Sequence, residues 1–187
     1  MATRFGRGRA PELDPDADPV EVGREIALRA LTVRDRSRAE LAAALARRGV
    51  PAEAAETVLE RLGEVGLVDD EQFAAAWVAG RQRRNTSARV LRQELRAKGI
   101  EAELVTQAMD ALPEGAELAA ARALVAKRAR SLGGVDAVVR RRRLAGQLAR
   151  RGFGPSIIAT VLREGDAEEA AELDGYVDLD NETDALG

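Results

Sequence analysis

The chain has 187 residues, of which 45% are apolar and 33% charged, and its formal net charge at pH 7 is −3. It contains no cysteine and no histidine, which excludes a disulfide framework, thiolate chemistry and the side chain that most often serves as general base or metal ligand. Only five residues are aromatic, and this composition favours helices packed through small side chains over a β-sandwich.

The two ends of the chain differ in composition from its body. Residues 1–19 are rich in Gly, Pro, Asp and Arg without periodicity, and residues 164–187 carry ten acidic residues and no basic one. We expect both segments to be disordered. Residues 20–163 then carry a net charge of +8, so the body is basic. One hypothesis is that the acidic tail covers this basic body; the alternative is a solubilising tail.

No apolar run is long enough to span a bilayer, and the N-terminal segment lacks the apolar core of a signal peptide. We therefore expect a cytoplasmic protein that makes no membrane contact.

The sequence contains three repeats of similar pattern. The first, residues 20–66, is predicted to form three helices. The first helix is expected over about 20–32. Ser37 and Glu40 have the spacing of a capping box, in which the hydroxyl accepts from an amide of the helix and the carboxylate returns to the cap. This box marks the start of the second helix, and Pro51 marks the start of the third.

The second repeat, residues 67–113, opens with adjacent carboxylates at Asp69 and Asp70. A metal or acid–base role is conceivable, but they stand where a helix must begin, and capping is the favoured interpretation. The next helix carries Phe73 and Trp77 on one face. Since Trp77 shares that face, we interpret it as a core anchor and not as a base-stacking residue.

The third repeat, residues 114–163, begins with a helix that is broken at 133–134 by two glycines. The following helix is expected over 140–151, and the last helix begins near Pro155.

One pattern appears in all three repeats. Relative to a glycine, leucines stand eight and four residues before it, a basic residue directly before it and an apolar residue directly after it. The glycine can adopt positive φ, which is how helices commonly end. The pattern residues are Leu41, Leu45 and Gly49, then Leu91, Leu95 and Gly99, then Leu144, Leu148, Gly152 and Phe153. The sequence therefore predicts an all-α fold of three tandem three-helix repeats in an elongated, curved array.

Catalytic motifs are absent from the sequence. It has neither a G-x-x-x-x-G-K-[ST] loop nor a G-x-S-x-G elbow, so we expect a non-enzyme without a cofactor or a metal.

Basic residues concentrate on the second helix of the later repeats. Residues 81–98 hold seven basic residues against one acidic, and residues 127–151 hold nine against one. Such helices could bind phosphates or an acidic protein groove. The alternative is a solvated surface on which arginine stems cover apolar area.

The same residues resemble the RecX family, the bacterial modulators of the RecA recombinase, over about residues 20–162. Four groups in order carry the resemblance: Ala30, Leu31, Arg34, Ser37, Glu40, Leu41, Leu45, Arg48 and Gly49; then Leu67, Val68, Asp69, Asp70, Phe73, Ala74, Trp77 and Val78; then Glu94, Leu95, Lys98, Gly99 and Ile100; then Leu144, Leu148, Arg150, Arg151, Gly152, Phe153, Ile157 and Ile158. Two features depart from the family pattern. Residues 85–87 (Asn-Thr-Ser) stand where many relatives have glycines, and the acidic tail lies outside the pattern.

The resemblance implies a regulator that binds RecA in its filament on single-stranded DNA, and we expect it to act as a monomer. It implies inhibition of strand exchange, ATP hydrolysis and the coprotease activity that triggers the SOS response to DNA damage. The candidate contacts are Arg34, Arg38, Arg81, Arg83, Arg84, Arg89, Arg92, Arg140, Arg141, Arg142, Arg143, Arg150 and Arg151. A stand-alone helical DNA-binding module, with salt-dependent affinity, is the alternative, and a helical adaptor that binds through apolar surface is a third.

Overall fold

The structure is a computed structural model that describes residues 17–167. Within this range the chain forms nine α-helices and no β-strand, which confirms the all-α prediction. The helices are α1 Pro19–Val33, α2 Arg38–Arg47, α3 Ala52–Glu64, α4 Asp70–Gln82, α5 Ala88–Ala97, α6 Ala102–Asp110, α7 Ala116–Ala129, α8 Ala137–Arg150, and α9 from 155 to 167. A 3₁₀ turn, Arg130–Leu132, follows α7.

The sequence analysis expected disorder in residues 1–19 and 164–187, and most of these residues lie outside the described range. Asp18 and Pro19 already form the cap and first residue of α1. At the other end, residues 164–167 continue α9, whereas the sequence assigned them to the tail.

The described helices divide into two compact units. Unit 1 comprises residues 17–78 and 94–109, and unit 2 comprises residues 79–93 and 110–167. The unit boundaries fall inside α4 and α5, so each of these helices has one part in unit 1 and one part in unit 2.

The three repeat glycines end their helices as predicted. Gly49, Gly99 and Gly152 have φ of +79°, +75° and +84°, in the left-handed region that glycine adopts without steric strain.

The core of unit 1 gathers the apolar stripes of α1, α2 and α3. Leu41 and Leu45 are 0% exposed, and they pack with Val58 and Leu59 from α3. Gly23 lets α1 approach closely, because a Cβ there would lie 3.3 Å from methyl carbons of both Val50 and Val58. The repeated leucines are thus the centre of this core.

The core of unit 2 gathers residues from α7, α8 and α9. Leu144 and Leu148 of α8 pack against Leu124 of α7 and Leu162 of α9, and Phe153 closes the turn between α8 and α9. The third copy of the repeat pattern therefore fills this core as the first fills the core of unit 1.

Helix α8 begins earlier than its basic run predicted. It starts at Ala137 and not at Arg140, because the Asp136 carboxylate accepts hydrogen bonds from the amides of Val138 and Val139. The helix is one turn longer at its N-terminal end than its counterparts in the other repeats.

The interpretation of Trp77 as a core anchor holds in part, because its ring stacks on that of Phe73 with the ring centroids 5.9 Å apart. Phe73 and Val78 are buried, but Trp77 is only half-buried. Its indole N–H donates to the Glu94 carboxylate at 2.9 Å, and the Lys98 ammonium lies 4.0 Å from its ring centroid. Trp77 therefore joins a polar cluster at the edge of the core.

Candidate interaction surface

In unit 2 the turn after α8 lies directly against the start of α5. A Cβ at Gly152 would lie 2.5 Å from Val90 Cγ2 and 2.7 Å from Ser87 Oγ, closer than real Cβ atoms come. Ser87 is fully buried there and caps α5 by accepting from the Val90 amide at 3.3 Å. Glycine is thus needed at 152 for close approach as well as for its backbone angle.

This contact brings basic residues from two parts of the sequence together. Arg151 donates from Nη1 to the main-chain carbonyl of Arg84 at 3.0 Å. The Arg89 guanidinium lies 3.6 Å from the position of a Gly152 Cβ. We call the exposed set Arg83, Arg84, Arg89, Arg150 and Arg151 the turn cluster.

A second group of candidates lies on α8. Arg142 and Arg143 are exposed, and Arg140 is half-buried with interactions of its own. Arg141 forms an ion pair with Asp166 of α9. The four consecutive arginines are therefore not equivalent: Arg141 is paired with a carboxylate, whereas Arg142 and Arg143 are exposed.

The remaining candidates differ in their surroundings. Arg92 is exposed on α5, and Arg81 is half-buried at the end of α4 with its own interactions. In unit 1, Arg34 binds both oxygens of Glu40 at 2.9 and 3.0 Å, which raises the pKa of the guanidinium, and Arg38 pairs with Glu56. Arg34 and Arg38 are thus engaged by carboxylates of their own unit.

Charge separates between the two units. The described part of unit 2 holds sixteen basic and six acidic residues, a net charge of +10. The described part of unit 1 holds ten basic and fifteen acidic residues, a net charge of −5. Most of the candidate contact residues therefore lie in a unit with a strongly positive field.

Unit 1 contains a polar cluster that the sequence analysis did not foresee. Glu40 was expected to return to its own cap, but its carboxylate binds Arg34 and, at 2.9 Å, the ammonium of Lys98. The hydrogen bond with Arg34, and then that with Lys98, outweigh partial burial and lower the pKa of Glu40 to about 2. Ser37 does accept from the Glu40 amide at 3.1 Å, so half of the predicted capping box is confirmed.

The adjacent carboxylates act as caps. Asp69 accepts from the amide of Gln72 at 2.9 Å, and Asp70 accepts from the amide of Arg38 at 2.8 Å, so it caps a different helix, α2. Burial raises the pKa of Asp70. Across residues 17–167 no group of three or more carboxylates is placed to hold a metal ion.

None of the helices in the described part of the chain is both long and apolar enough to cross a membrane.

Comparison with known proteins places these features in a family. Models of the first, second and third three-helix domains of RecX match residues 24–62, 69–109 and 116–162. Proteins named regulatory protein RecX from Streptomyces coelicolor and Thermobifida fusca are 45% identical over 167 residues and 43% identical over 178 residues. The first alignment covers 89% of both chains, and the second covers 93% of this chain and 96% of the relative.

Solved structures agree on the fold. The crystal structure of RecX from Lactobacillus salivarius superposes with a TM-score of 0.70 at 20% identity, covering 80% of this chain and 98% of that one. A second crystal structure, of regulatory protein RecX, gives a TM-score of 0.67 at 23% identity, covering 77% and 73%. The chain therefore belongs to the RecX family of regulatory proteins.

Proposed function

We propose that this protein binds the RecA filament on single-stranded DNA and inhibits recombinase, ATPase and coprotease activity, and so moderates DNA repair and the SOS response. In this role it works as a monomer, by binding alone, without a cofactor or a catalytic step. The relatives are named regulatory proteins, which agrees with a binding role.

The observation that carries the proposal is the charge of unit 2. Its net charge of +10 suits a partner that displays DNA phosphates and acidic side chains together. Guanidinium groups bind phosphate and carboxylate oxygens through paired N–H donors, so an arginine-rich surface can bind both components of a nucleoprotein filament.

Within unit 2 the turn cluster is the best candidate for direct contact. Its residues are exposed, and the Gly152 contact holds the two chain segments that carry them in one arrangement. A surface that is already ordered before binding loses less conformational entropy when its partner arrives. Arg142 and Arg143 add two exposed charges on α8.

The test is a titration of the protein into the single-stranded-DNA-dependent ATPase reaction of RecA, with DNA binding by the protein alone measured in parallel. We expect inhibition at well below one molecule per RecA, since a ligand that blocks filament growth or bridges protomers need not saturate the filament. If the protein does not inhibit the ATPase at any of the ratios tested, the proposal is contradicted.

The alternative is a stand-alone DNA-binding module, which the same positive charge also favours. In that case the protein binds DNA tightly without RecA, and log K falls steeply with log salt concentration because arginine contacts release counterions. Tight DNA binding together with an unaffected RecA ATPase would select this alternative.

A further inference from the structure

Unit 2 contains a cleft between α7, α8 and α9 that the proposed contacts leave unexplained. Its volume is about 550 Å³. Apolar side chains line its floor, among them Ala126 of α7, Leu144 of α8 and Leu162 of α9. Its rim is charged and includes Arg122, Arg140, Arg141, Glu164 and Asp166. An apolar floor inside a basic rim is suited to a ligand that combines apolar and acidic groups.

The last described turn of the chain already binds this rim through its carboxylates. Glu164 accepts from Nε and Nη2 of Arg122 at 2.8 Å each, and this pairing lowers the pKa of Glu164. Asp166 pairs with Arg141. These are the first two of the ten acidic residues after Arg163, so the beginning of the acidic segment lies on the cleft.

The rest of that segment has the composition that the cleft requires. Residues 168–187 carry eight further acidic residues and no basic one. Apolar side chains alternate with the carboxylates in its middle, at Leu173, Tyr176, Val177 and Leu179. Gly175 permits a reversal of the chain. Eight residues lie between 167 and Tyr176, and the nine steps along the chain span up to about 30 Å, ample for the chain to fold back.

We propose that the cleft between α7, α8 and α9 is a binding site for the chain's own residues 168–187. The apolar side chains around Tyr176 occupy its floor, and the carboxylates extend the acidic pairing of the rim arginines that Glu164 and Asp166 begin. Charge favours this occupant, since eight negative charges are tethered beside a unit of net charge +10.

Occupation of the cleft has a consequence for partner binding, and this consequence rests on the proposed function. Arg140 and Arg141 line the cleft and are also candidate contacts of the filament. Residues 168–187, when bound, therefore compete with an anionic partner for the same guanidinium groups. The tail lowers affinity at low ionic strength and has little effect at high ionic strength, where exposed charges are screened.

Tyr176 is the only tyrosine in the chain, so its ring resonances report on the tail without overlap. The experiment compares these resonances in the full-length protein with those of a free 168–187 peptide, in the absence of DNA and RecA. The test variant is Ala126→Glu, which places a carboxylate in the cleft at an exposed position of α7. The matched control is Ala119→Glu, which adds the same charge at an exposed position of the same helix outside the cleft.

We expect the Tyr176 resonances of the wild type and of Ala119→Glu to differ from those of the free peptide. The Tyr176 resonances of Ala126→Glu should coincide with those of the free peptide. Coincidence with the free peptide in the wild type at low salt overturns the proposal. So does a displaced resonance that Ala126→Glu leaves unchanged, since the tail would then bind elsewhere. The wild-type result stands even if the variant fails to fold.

A second measurement tests the competition. Replacing the eight carboxylates of residues 168–187 by their amides should strengthen binding of a single-stranded oligonucleotide on the order of 3- to 10-fold at low salt, and not at about 0.5 M salt. Equal affinity at low salt would contradict competition. Because the resonance experiment uses no partner, tail binding and the filament role can each fail without the other.

Discussion

Ser37 Oγ donates a hydrogen bond of 2.6 Å to the main-chain carbonyl of Lys98, 61 residues further along the chain. The same hydroxyl accepts from the Glu40 amide, so it caps α2 and holds the turn of Gly99 at once. Ser87 occupies the corresponding place beside the turn of Gly152 in unit 2. In each unit, therefore, a buried N-cap serine receives the glycine turn of a later repeat.

The two serines should differ in their contribution to stability. Ser37→Ala removes a cap and a long-range hydrogen bond and should lower the free energy of unfolding by about 2 kcal/mol. Ser87→Ala removes a cap with a longer bond, 3.3 Å, and should lower it by about 1 kcal/mol. Urea denaturation of both variants measures the difference, and equal losses would contradict the double role of Ser37.

The three repeat glycines provide a graded test of the turn contacts. All three have positive φ, so replacement by alanine costs about 1 kcal/mol at each. A Cβ at Gly99 would lie 2.3 Å from the Ala39 Cβ, and at Gly152 2.5 Å from Val90, whereas at Gly49 nothing lies within 4 Å. Gly99→Ala and Gly152→Ala should each lose about 1–3 kcal/mol more than Gly49→Ala. Similar melting temperatures for the three variants would refute the close approach.

Local patterns in the sequence predicted the helices and their buried leucines well. Leucines at i and i+4 before a glycine describe one stripe of a helix and its end, and both depend on near neighbours in the chain. Leu91 and Leu95 are 1% and 0% exposed, as this pattern requires.

Features that depend on distant residues were not predictable in this way. The capping-box spacing could not reveal that Lys98 draws the Glu40 carboxylate away from its own cap. The stripe that contains Trp77 could not reveal the Glu94 carboxylate that holds its indole at the edge of the core. The sequence likewise located the arginines of the turn cluster but not their association, which depends on the contact between Gly152 and Ser87.

The depressed pKa of Glu40 predicts a particular pH dependence. The pKa of Glu40 is about 2 in the folded protein, against the ordinary value of 4.5 for a glutamate carboxyl. The ionised carboxylate therefore stabilises the fold above pH 4.5, and this stabilisation is lost as the pH falls from 4.5 towards 2. Glu40→Gln should therefore reduce stability by about 2 kcal/mol at pH 7, since the pairs are partly screened by solvent. The loss should shrink towards zero near pH 2. A difference between wild type and variant that stays constant with pH would contradict the assigned pairing.

Core packing gives a prediction with an internal control. Leu95 is 0% exposed, and Leu95→Ala should lower the free energy of unfolding by roughly 2–5 kcal/mol through lost burial and a residual cavity. Leu67 is 52% exposed, and Leu67→Ala should change it by less than about 1 kcal/mol. Denaturant midpoints provide the comparison, and an unaffected Leu95→Ala protein would contradict the repeat alignment.

On α8, Arg142 and Arg143 are exposed, whereas the neighbouring Arg141 is paired with Asp166. Arg142→Glu with Arg143→Glu should weaken inhibition of RecA several-fold while leaving circular dichroism unchanged, because both side chains are exposed. Arg141 is a poorer choice for this test, since its replacement also breaks the ion pair with Asp166. Full inhibition by the double variant would remove Arg142 and Arg143 from the contact surface.

The most direct test of the proposed role is the RecA ATPase on single-stranded DNA in the presence of a turn-cluster variant, Arg83→Glu with Arg84→Glu and Arg89→Glu. The control carries the same charge change at exposed positions of unit 1, Arg47→Glu with Arg48→Glu and Arg61→Glu. We predict that the control inhibits like the wild type, and that the turn-cluster variant needs at least about tenfold more protein for the same inhibition, since three charge-assisted contacts are lost. Equal inhibition by both variants would contradict the claim that the basic surface of unit 2 binds the filament.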